Sequence, residues 1–335
     1  GWLYAPFAED RGGLGGSVID TLILFEELGR QLVVEPFLES LVLTGGVLSR
    51  CESDSATERL SSMMEGELQG ALAHTEPGVR SLQLPPASVA ERHGHGYRLR
   101  GKKTVVFNAE AADVIIVTVT LADSNDLGLF LLESGDPGLA MQSYSTIDGR
   151  TAADLSFSAL EVPAGNLLAS GDSARKLLET VRAEALLACC ADMLGSMNAL
   201  LSGTIAYTRE RQQFGSPLVD FQVLRHRMVD MYVATELTTS LLYAAAMKLR
   251  DQAPDALSIA AAAKVKADRS AKFVAHSAIQ LHGGIATTDE FAVGHHLKRI
   301  TVHEQRFGST ESQLQDFQRY GDRTAELPIP RKKVA

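Results

Sequence analysis

At 335 residues, 45% of them hydrophobic and 22% charged, the chain can bury more than one core and lacks the bias of disordered or collagen-like sequences. Its formal charge of -9 argues against a nucleic-acid-binding face, and no apolar run is expected to span a membrane. Cys51, Cys189 and Cys190, with no C-x-x-C spacing, argue against disulfides or structural zinc and point to a reducing cytoplasm.

Ser17 opens an amphipathic helix, SVIDTLILFEELGR, in which Val18, Leu22, Phe25 and Leu28 recur at helical spacing and Gly29 is expected to mark the end. Helical patterns follow over 35–49 and 55–67, the second with Ser55 as N-cap and Glu58 completing a capping box. From Gly70 the apolar period becomes two. GALAHTEP, YRLRG, KTVVFN, DVIIVTVTL, GLFLLES and DLSFSALEV are short and separated by Gly, Asn, Asp and Pro, as in a small β-sandwich or barrel. Beyond Ser170 the strand signal stops, and long helices fit 174–214, 218–251, 256–282 and 291–318, an antiparallel four-helix bundle. The fold class is therefore α+β multidomain: an N-terminal helical domain over 1–69, a central β domain over 70–169, a C-terminal four-helix bundle over 170–327 and a tail over 328–335.

Two stretches have the chemistry of a phosphate site. In RERQQFGSPLVDFQ, starting at Arg209, Gly215 permits a turn and Pro217 suits the start of the next helix, which leaves Arg211 near the break and able to fork onto a pyrophosphate. In QLHGG, Gln280 to Gly284, paired glycines let backbone approach an anion. His93-Gly94-His95 and His295-His296 have no third ligand at helical spacing and read as surface histidines. Arg225, His226 and Arg227, with Lys298 and Arg299, form basic spots suited to facing the phosphates of a nucleotide ligand, although solvated helix faces are the commoner explanation.

These motifs, together with HTEP, GKKTVVFN, QFGSPLVDFQVLRHRMVDM, QLHGGIATTDEFAVGHHLKR and a final RFG, resemble the acyl-CoA dehydrogenase family over essentially the whole chain. Within it they are most similar to the small subunits of heteromeric members, of the pimeloyl-CoA dehydrogenase kind. The resemblance implies FAD as cofactor and further helices ahead of Gly1. It also implies a reaction in which a carboxylate removes the α-proton of a CoA thioester while the β-hydrogen leaves as hydride to the flavin. Arg211, Phe214, Gln222, Gln280, Gly283 and Gly284 match positions that hold the adenine side and pyrophosphate of an FAD seated mainly in a neighbouring subunit. Thr75 and Ser81 match the loop that bonds the flavin edge and phosphate.

The chain departs from the family pattern where the reaction occurs. Arg80-Ser81-Leu82 stands where Gly-Ser-Asp is usual, and Val105-Val106-Phe107 replaces a Trp-Ile-Thr segment, removing a ring-wide wall and a hydroxyl. The two family positions for the base carry Gly308 and Ala185. Glu184, one residue from Ala185, is a displaced candidate, rotated about 100° around the helix. Glu304, Glu311 and Asp192 are expected to be solvated or salt-bridged surface groups.

The expectation is a small subunit that completes an FAD site while a larger α2β2-like partner supplies the Glu. An electron-transfer flavoprotein would be the acceptor, with bulky or dicarboxylic acyl-CoA substrates that include steroid side chains. The alternatives are a homo-oligomeric dehydrogenase with a displaced base and a flavin-free scaffold or acyl-CoA-binding subunit.

Overall fold

The computed structural model describes residues 1–78 and 85–325. They fall into two compact units, Gly1–Thr21 with Val34–Ala185, and Leu22–Val33 with Leu186 onward.

In the first unit, Ser17 caps helix α1 (Val18–Arg30). Its hydroxyl accepts from Ile19 N at 3.2 Å while its own N–H donates to Asp20 Oδ2 at 2.7 Å. The helical pattern over 35–49 forms as a π-type helix, Leu38–Gly45, that runs into α2 (Gly46–Leu48), and every residue of both is buried. Helix α3 (Asp54–Glu65) starts earlier than expected. Ser53 is the N-cap, accepting from Ala56 N at 3.2 Å, whereas Ser55 lies inside the helix and takes a 2.6 Å bond from Arg59, so no Ser55–Glu58 box forms.

The strands are β1 (Gly70–Ala73), β2 (Val89–His93), β3 (Gly96–Phe107), β4 (Val114–Leu121), β5 (Leu127–Glu133), β6 (Leu139–Ser145), β7 (Thr151–Pro163) and β8 (Leu167–Ser170). They make one sheet in the order β6-β7-β3-β2-β4-β5-β8, with β1 parallel to β4. β2 and β4 share only the pairs Val89↔Thr120 and Ala90↔Leu121, so two halves meet at one corner and close over a common core that includes Leu99, Val117, Phe130 and Phe157. That closure is the sandwich-like arrangement that alternating strands predict. Every residue of β4 is buried, which explains why VIIVTVTL lacks a polar alternation. YRLRG and KTVVFN are one bulged strand, β3, and β6 is a largely exposed strand at the sheet edge.

The second unit is helical. α4 (Gly171–Glu210), to which both units contribute, stops four residues short of Phe214. A two-stranded ribbon, β9 (Gln212–Gln213) with β10 (Ser216–Pro217), intervenes before α5 (Gln222–Arg250). α6 (Ala256–His282) packs against α5 and against α8 (Thr310–Ala325). The helix expected over 291–318 is in fact α7 (Ala292–Gln305) and α8, because Phe307 and Gly308 take φ of 60° and 103°, which no helix accommodates. α1 and α4 cross closely where a Cβ on Gly29 would overlap the Asp192 carbonyl and one on Gly195 the Glu26 carbonyl. Gly29 is thus a packing residue inside α1 rather than its terminator.

Burial bears on two further expectations. α4 is long and apolar enough to cross a membrane by length and composition, but 83% of its most apolar window is buried in the protein, so it is a core helix. Asp192, Arg299 and His296 are core groups as well. Asp192 accepts from Arg299 at 3.3 Å and lies 3.1 Å from His303 Nε2, and Arg299 also donates to the Val33 carbonyl. Burial pushes the His296 imidazole down to about 4, which keeps it neutral.

Candidate functional site

The stretches 209–222 and 280–284 meet in the second unit. The Arg211 amide donates to Tyr207 O at 2.8 Å, and Tyr207 in turn stacks on His282 at 4.4 Å between centroids and donates its hydroxyl to His282 O at 3.3 Å. Arg211 and the Gly283–Gly284 backbone are therefore brought to one end of the helices by an aromatic contact. Burial lowers the His282 pKa, and its Nδ1 lies 2.8 Å from Ala278 O, so the stack is uncharged and fixed. Gly283 has φ 68° and ψ -146°, and nothing lies within 4 Å of a Cβ built on Gly283 or Gly284, so this backbone is open to a ligand.

Between β9 and β10 the chain turns through Phe214 (φ 54°) and Gly215 (φ 83°), the two-residue arrangement with both central residues left-handed. A non-glycine residue here is strained, and Phe214 is 92% exposed. Its ring meets Phe221 edge-on at 6.2 Å between centroids and otherwise faces outward. Gln222, first residue of α5, and Gln280, in the last turn of α6, are also exposed. Arg211 offers a fork, Gln222 and Gln280 two amides, Gly283 and Gly284 open backbone, and Phe214, beside Phe221, an exposed ring, a chemistry that suits the nucleotide tail of a dinucleotide. Gln280 also lines a basic cleft with Arg227, Arg269 and Lys272, a feature legible on α6 only as a spacing of cations and not identified from motifs.

The residues that match the family's flavin-ring loop and strand fall in the first unit. Thr75 is half-buried and its carbonyl accepts from Thr104 N at 2.9 Å, which ties the HTEP segment to β3; Ser81 lies outside the described residues. Beneath this tie, Lys103 Nζ bonds Glu76 Oε1 at 2.6 Å, with Lys103 fully buried and Glu76 5% exposed. Val105 sits in a bulge at φ 52° and is 44% exposed, its amide donating to Asp154 Oδ1 at 3.1 Å. A β-branched residue at such a φ is rare and strained, so the bulge is held by its neighbours: Thr104 Oγ1 and Tyr144 Oη also donate to Asp154 Oδ1, at 2.7 and 2.9 Å. The backbone therefore offers position 105 outward, but with an isopropyl group in place of a ring, and Phe107 has no hydroxyl to donate. These residues do not fit a fully housed isoalloxazine.

None of the family's base positions holds a carboxylate in working surroundings. Gly308 has φ 103°, and a Cβ there would overlap Ser312 Oγ. Ala185 is fully buried. The Glu184 carboxylate is bound by Arg50 at 2.6 Å. Burial pushes its pKa up and Arg50 opposes that, which makes it a structural partner. Glu304 is paired with Lys272 at 3.2 Å. No group of three or more His, Cys, Asp or Glu residues is placed to hold a metal among the described residues, and His93 and His95 are exposed.

The acyl-CoA dehydrogenase middle-domain family matches residues 71–160, and the acyl-CoA dehydrogenase C-terminal-domain family matches residues 177–320. Cyclohex-1-ene-1-carbonyl-CoA dehydrogenase of Geobacter metallireducens is 31% identical over 284 residues, covering 82% of this chain and 74% of the relative. Among solved structures, butyryl-CoA dehydrogenase from Megasphaera elsdenii superposes with a TM-score of 0.87 at 27% identity, covering 94% of this chain and 86% of that one. The ChsE4-ChsE5 complex from Mycobacterium tuberculosis gives 0.85 at 28% identity, over 98% and 86%. Sequence, fold and the two matched regions agree: the chain belongs to the acyl-CoA dehydrogenase family, FAD-dependent oxidoreductases acting on CH–CH bonds.

Proposed function

We propose that this chain is the small, non-catalytic subunit of a heteromeric, α2β2-like acyl-CoA dehydrogenase. Its Arg211, Phe214, Gln222, Gln280, Gly283 and Gly284 would close over the nucleotide tail of an FAD whose ring, together with the thioester and the base, belongs to a larger partner. The observation that supports this most is the contrast between the two halves of the site. The groups suited to phosphates and adenine are exposed, and the segments of Arg211 and Gly283 are tied by the Tyr207–His282 stack, whereas position 308 is a left-handed glycine packed against Ser312 and position 185 a buried alanine.

In this arrangement Arg211 supplies a bidentate fork to pyrophosphate oxygens, and the open backbone at Gly283 and Gly284 approaches the same anion without steric conflict. Phe214 leaves its own chain to cover the adenine side. FAD, when bound, supplies the acceptor for the β-hydride. The contribution of this chain is to fix the tail and so orient the rest. Thr75 keeps its tie to β3, beside the strand in which Val105 and Phe107 leave the flavin ring without a wall or a hydroxyl. The outward face of α5 carries Val229, Tyr232, Val233 and Leu237 exposed at helical spacing, an apolar stripe in keeping with a subunit contact, and the ChsE4-ChsE5 complex offers a precedent for two unlike chains. The same reading takes an acyl-CoA as substrate of the complex, an electron-transfer flavoprotein as its acceptor and the cytoplasm as its location.

The test is anaerobic reduction by acyl-CoA, followed at the flavin absorbance, for the chain alone and for the chain co-expressed with a larger homologous subunit. The complex should bleach and the chain alone should not. If the isolated chain, at matched flavin occupancy, bleaches at the rate of the complex, the reading is wrong.

A further inference from the structure

Helix α5 has a buried face, on which Met228, Met231, Thr235, Thr238 and Leu242 lie, and an outward face of mixed character. Val229, Tyr232, Val233 and Leu237 on the outward face are each about half exposed. Arg225 and His226 stand at the start of that face and Glu236 near its end, all three exposed and in no ion pair among the described residues. At about 100° per residue the seven positions fall within an arc of about 140°, opposite the buried face, and at 1.5 Å per residue they run for about 18 Å. Arg225 and His226 lie close to the N-terminus of α5, where the helix dipole disfavours cations, and no acid occupies its first turn.

A basic start, an apolar middle and an acidic end on one exposed face complement themselves when two such helices run antiparallel, as a two-fold contact requires. With the two-fold axis level with Met231, Val229 meets the second copy's Val233, His226 meets the second copy's Glu236, and Arg225 stands one residue from the same carboxylate. A parallel pairing would instead set Arg225 on Arg225 and Glu236 on Glu236, like charge on like. The antiparallel pairing also brings the acid of each copy toward the positive start of the other's helix. An unlike partner would place no requirement on this face to carry both signs about an apolar centre. We propose that the outward face of α5 docks a second copy of this chain, antiparallel, with Val229, Tyr232 and Val233 at the centre and Arg225 and His226 against Glu236 at each end. None of the residues placed on the nucleotide tail takes part, so the contact stands whether or not the isolated chain reduces flavin.

Sedimentation over a concentration series tests this on the full chain, alone and assembled with a larger homologous subunit. The chain should self-associate, and Val233→Asp should reduce the assembly. Arg225→Glu and Glu236→Arg should each weaken self-association about tenfold, because each turns two attractions related by the two-fold into repulsions. Mixed together, the two single variants should recover association, since the acids of one then face the cations of the other, and the double variant should recover it by itself. An unlike partner on this face gives neither recovery. All of these side chains are exposed, so unchanged far-UV circular dichroism confirms that the variants fold. In the complex, a Val229→Cys chain mixed with a Val233→Cys chain should form a disulfide-linked pair with oxidised glutathione faster than either variant alone. Association unchanged by both charge reversals, no recovery on mixing, or a disulfide to the larger subunit in place of the second copy overturns the proposal. So does a chain that is monomeric at every concentration and gives no linked pair in the complex. If the isolated chain proves catalytic while the mixed variants recover association, the small-subunit reading fails and the α5 contact stands.

Discussion

Replacing Glu76 by Gln probes the buried tie beneath the HTEP segment. Glu76 Oε1 takes bonds from Lys103 Nζ at 2.6 Å, Ser88 N at 2.9 Å and Ser88 Oγ at 2.6 Å, and Oε2 takes Ala87 N at 2.6 Å. Burial opposes the charge, but the bonds from Lys103 and Ser88 outweigh it and hold the carboxyl down at about 2. Burial lowers Lys103 to about 8, against the pull of Glu76, so both groups are charged at neutral pH. Glu76→Gln removes the counter-charge of an ammonium with no exposure and sets an amide NH2 against the Ala87 N–H, leaving one carbonyl oxygen to share between Lys103 and Ser88; the other acceptors of Nζ are Thr118 Oγ1 at 3.2 Å and His74 O at 3.5 Å.

Removing one partner of a buried pair costs about 3–5 kcal/mol, which for a unit of this size lowers Tm by roughly 6–20 °C. Urea titration should give a lower midpoint with an unchanged slope. The sign with pH follows from the depressed carboxyl. Its contribution is present above the unfolded-state value of 4.5, is lost as pH falls through about 2, and should be absent from the variant. Glu76→Gln combined with Lys103→Met should recover part of the loss, although Ala87 N and the Ser88 groups are left short of a partner. A midpoint shift equivalent to less than about 1 kcal/mol, the range of an exposed pair, would refute the argument that this pair is sealed from water.

Glu184→Gln should leave turnover of the complex unchanged and cost under about 1 kcal/mol, since the Arg50 and Glu184 side chains are 37% and 22% exposed; a hundredfold or greater loss of kcat would make Glu184 the base. Phe214→Asn should leave the thermal midpoint of the chain unchanged or slightly raised, because a strained ring that is 92% exposed is exchanged for a residue that tolerates its φ. Flavin retained by the complex after gel filtration should fall. Gly308→Glu restores the family's carboxylate in sequence but must strain φ and displace Ser312, so it should destabilise by about 1–3 kcal/mol. It should not let the isolated chain bleach flavin with acyl-CoA, which the anaerobic assay reports directly.

What the sequence determined by itself was local. Helical spacing in α1, the unbroken apolar run of β4 and the glycine at 215 each dictate a conformation through groups within a few residues, so the order of helical, strand and helical regions and the two phosphate-like motifs were legible. The missing carboxylates and hydroxyl at 308, 185 and 107 were legible too, since absence of a functional group does not depend on the fold. Tertiary structure decided what depends on distant partners. Asp192 and Arg299 look like surface charges until they bury each other across 107 positions, and Gly29 looks like a helix end until α4 is seen to need its missing Cβ. The expected last helix breaks at Phe307 and Gly308, where backbone angles outrank propensity. The segments that carry Arg211 and Gly283 are tied by the stack of Tyr207 on His282, a contact that no short-range rule encodes.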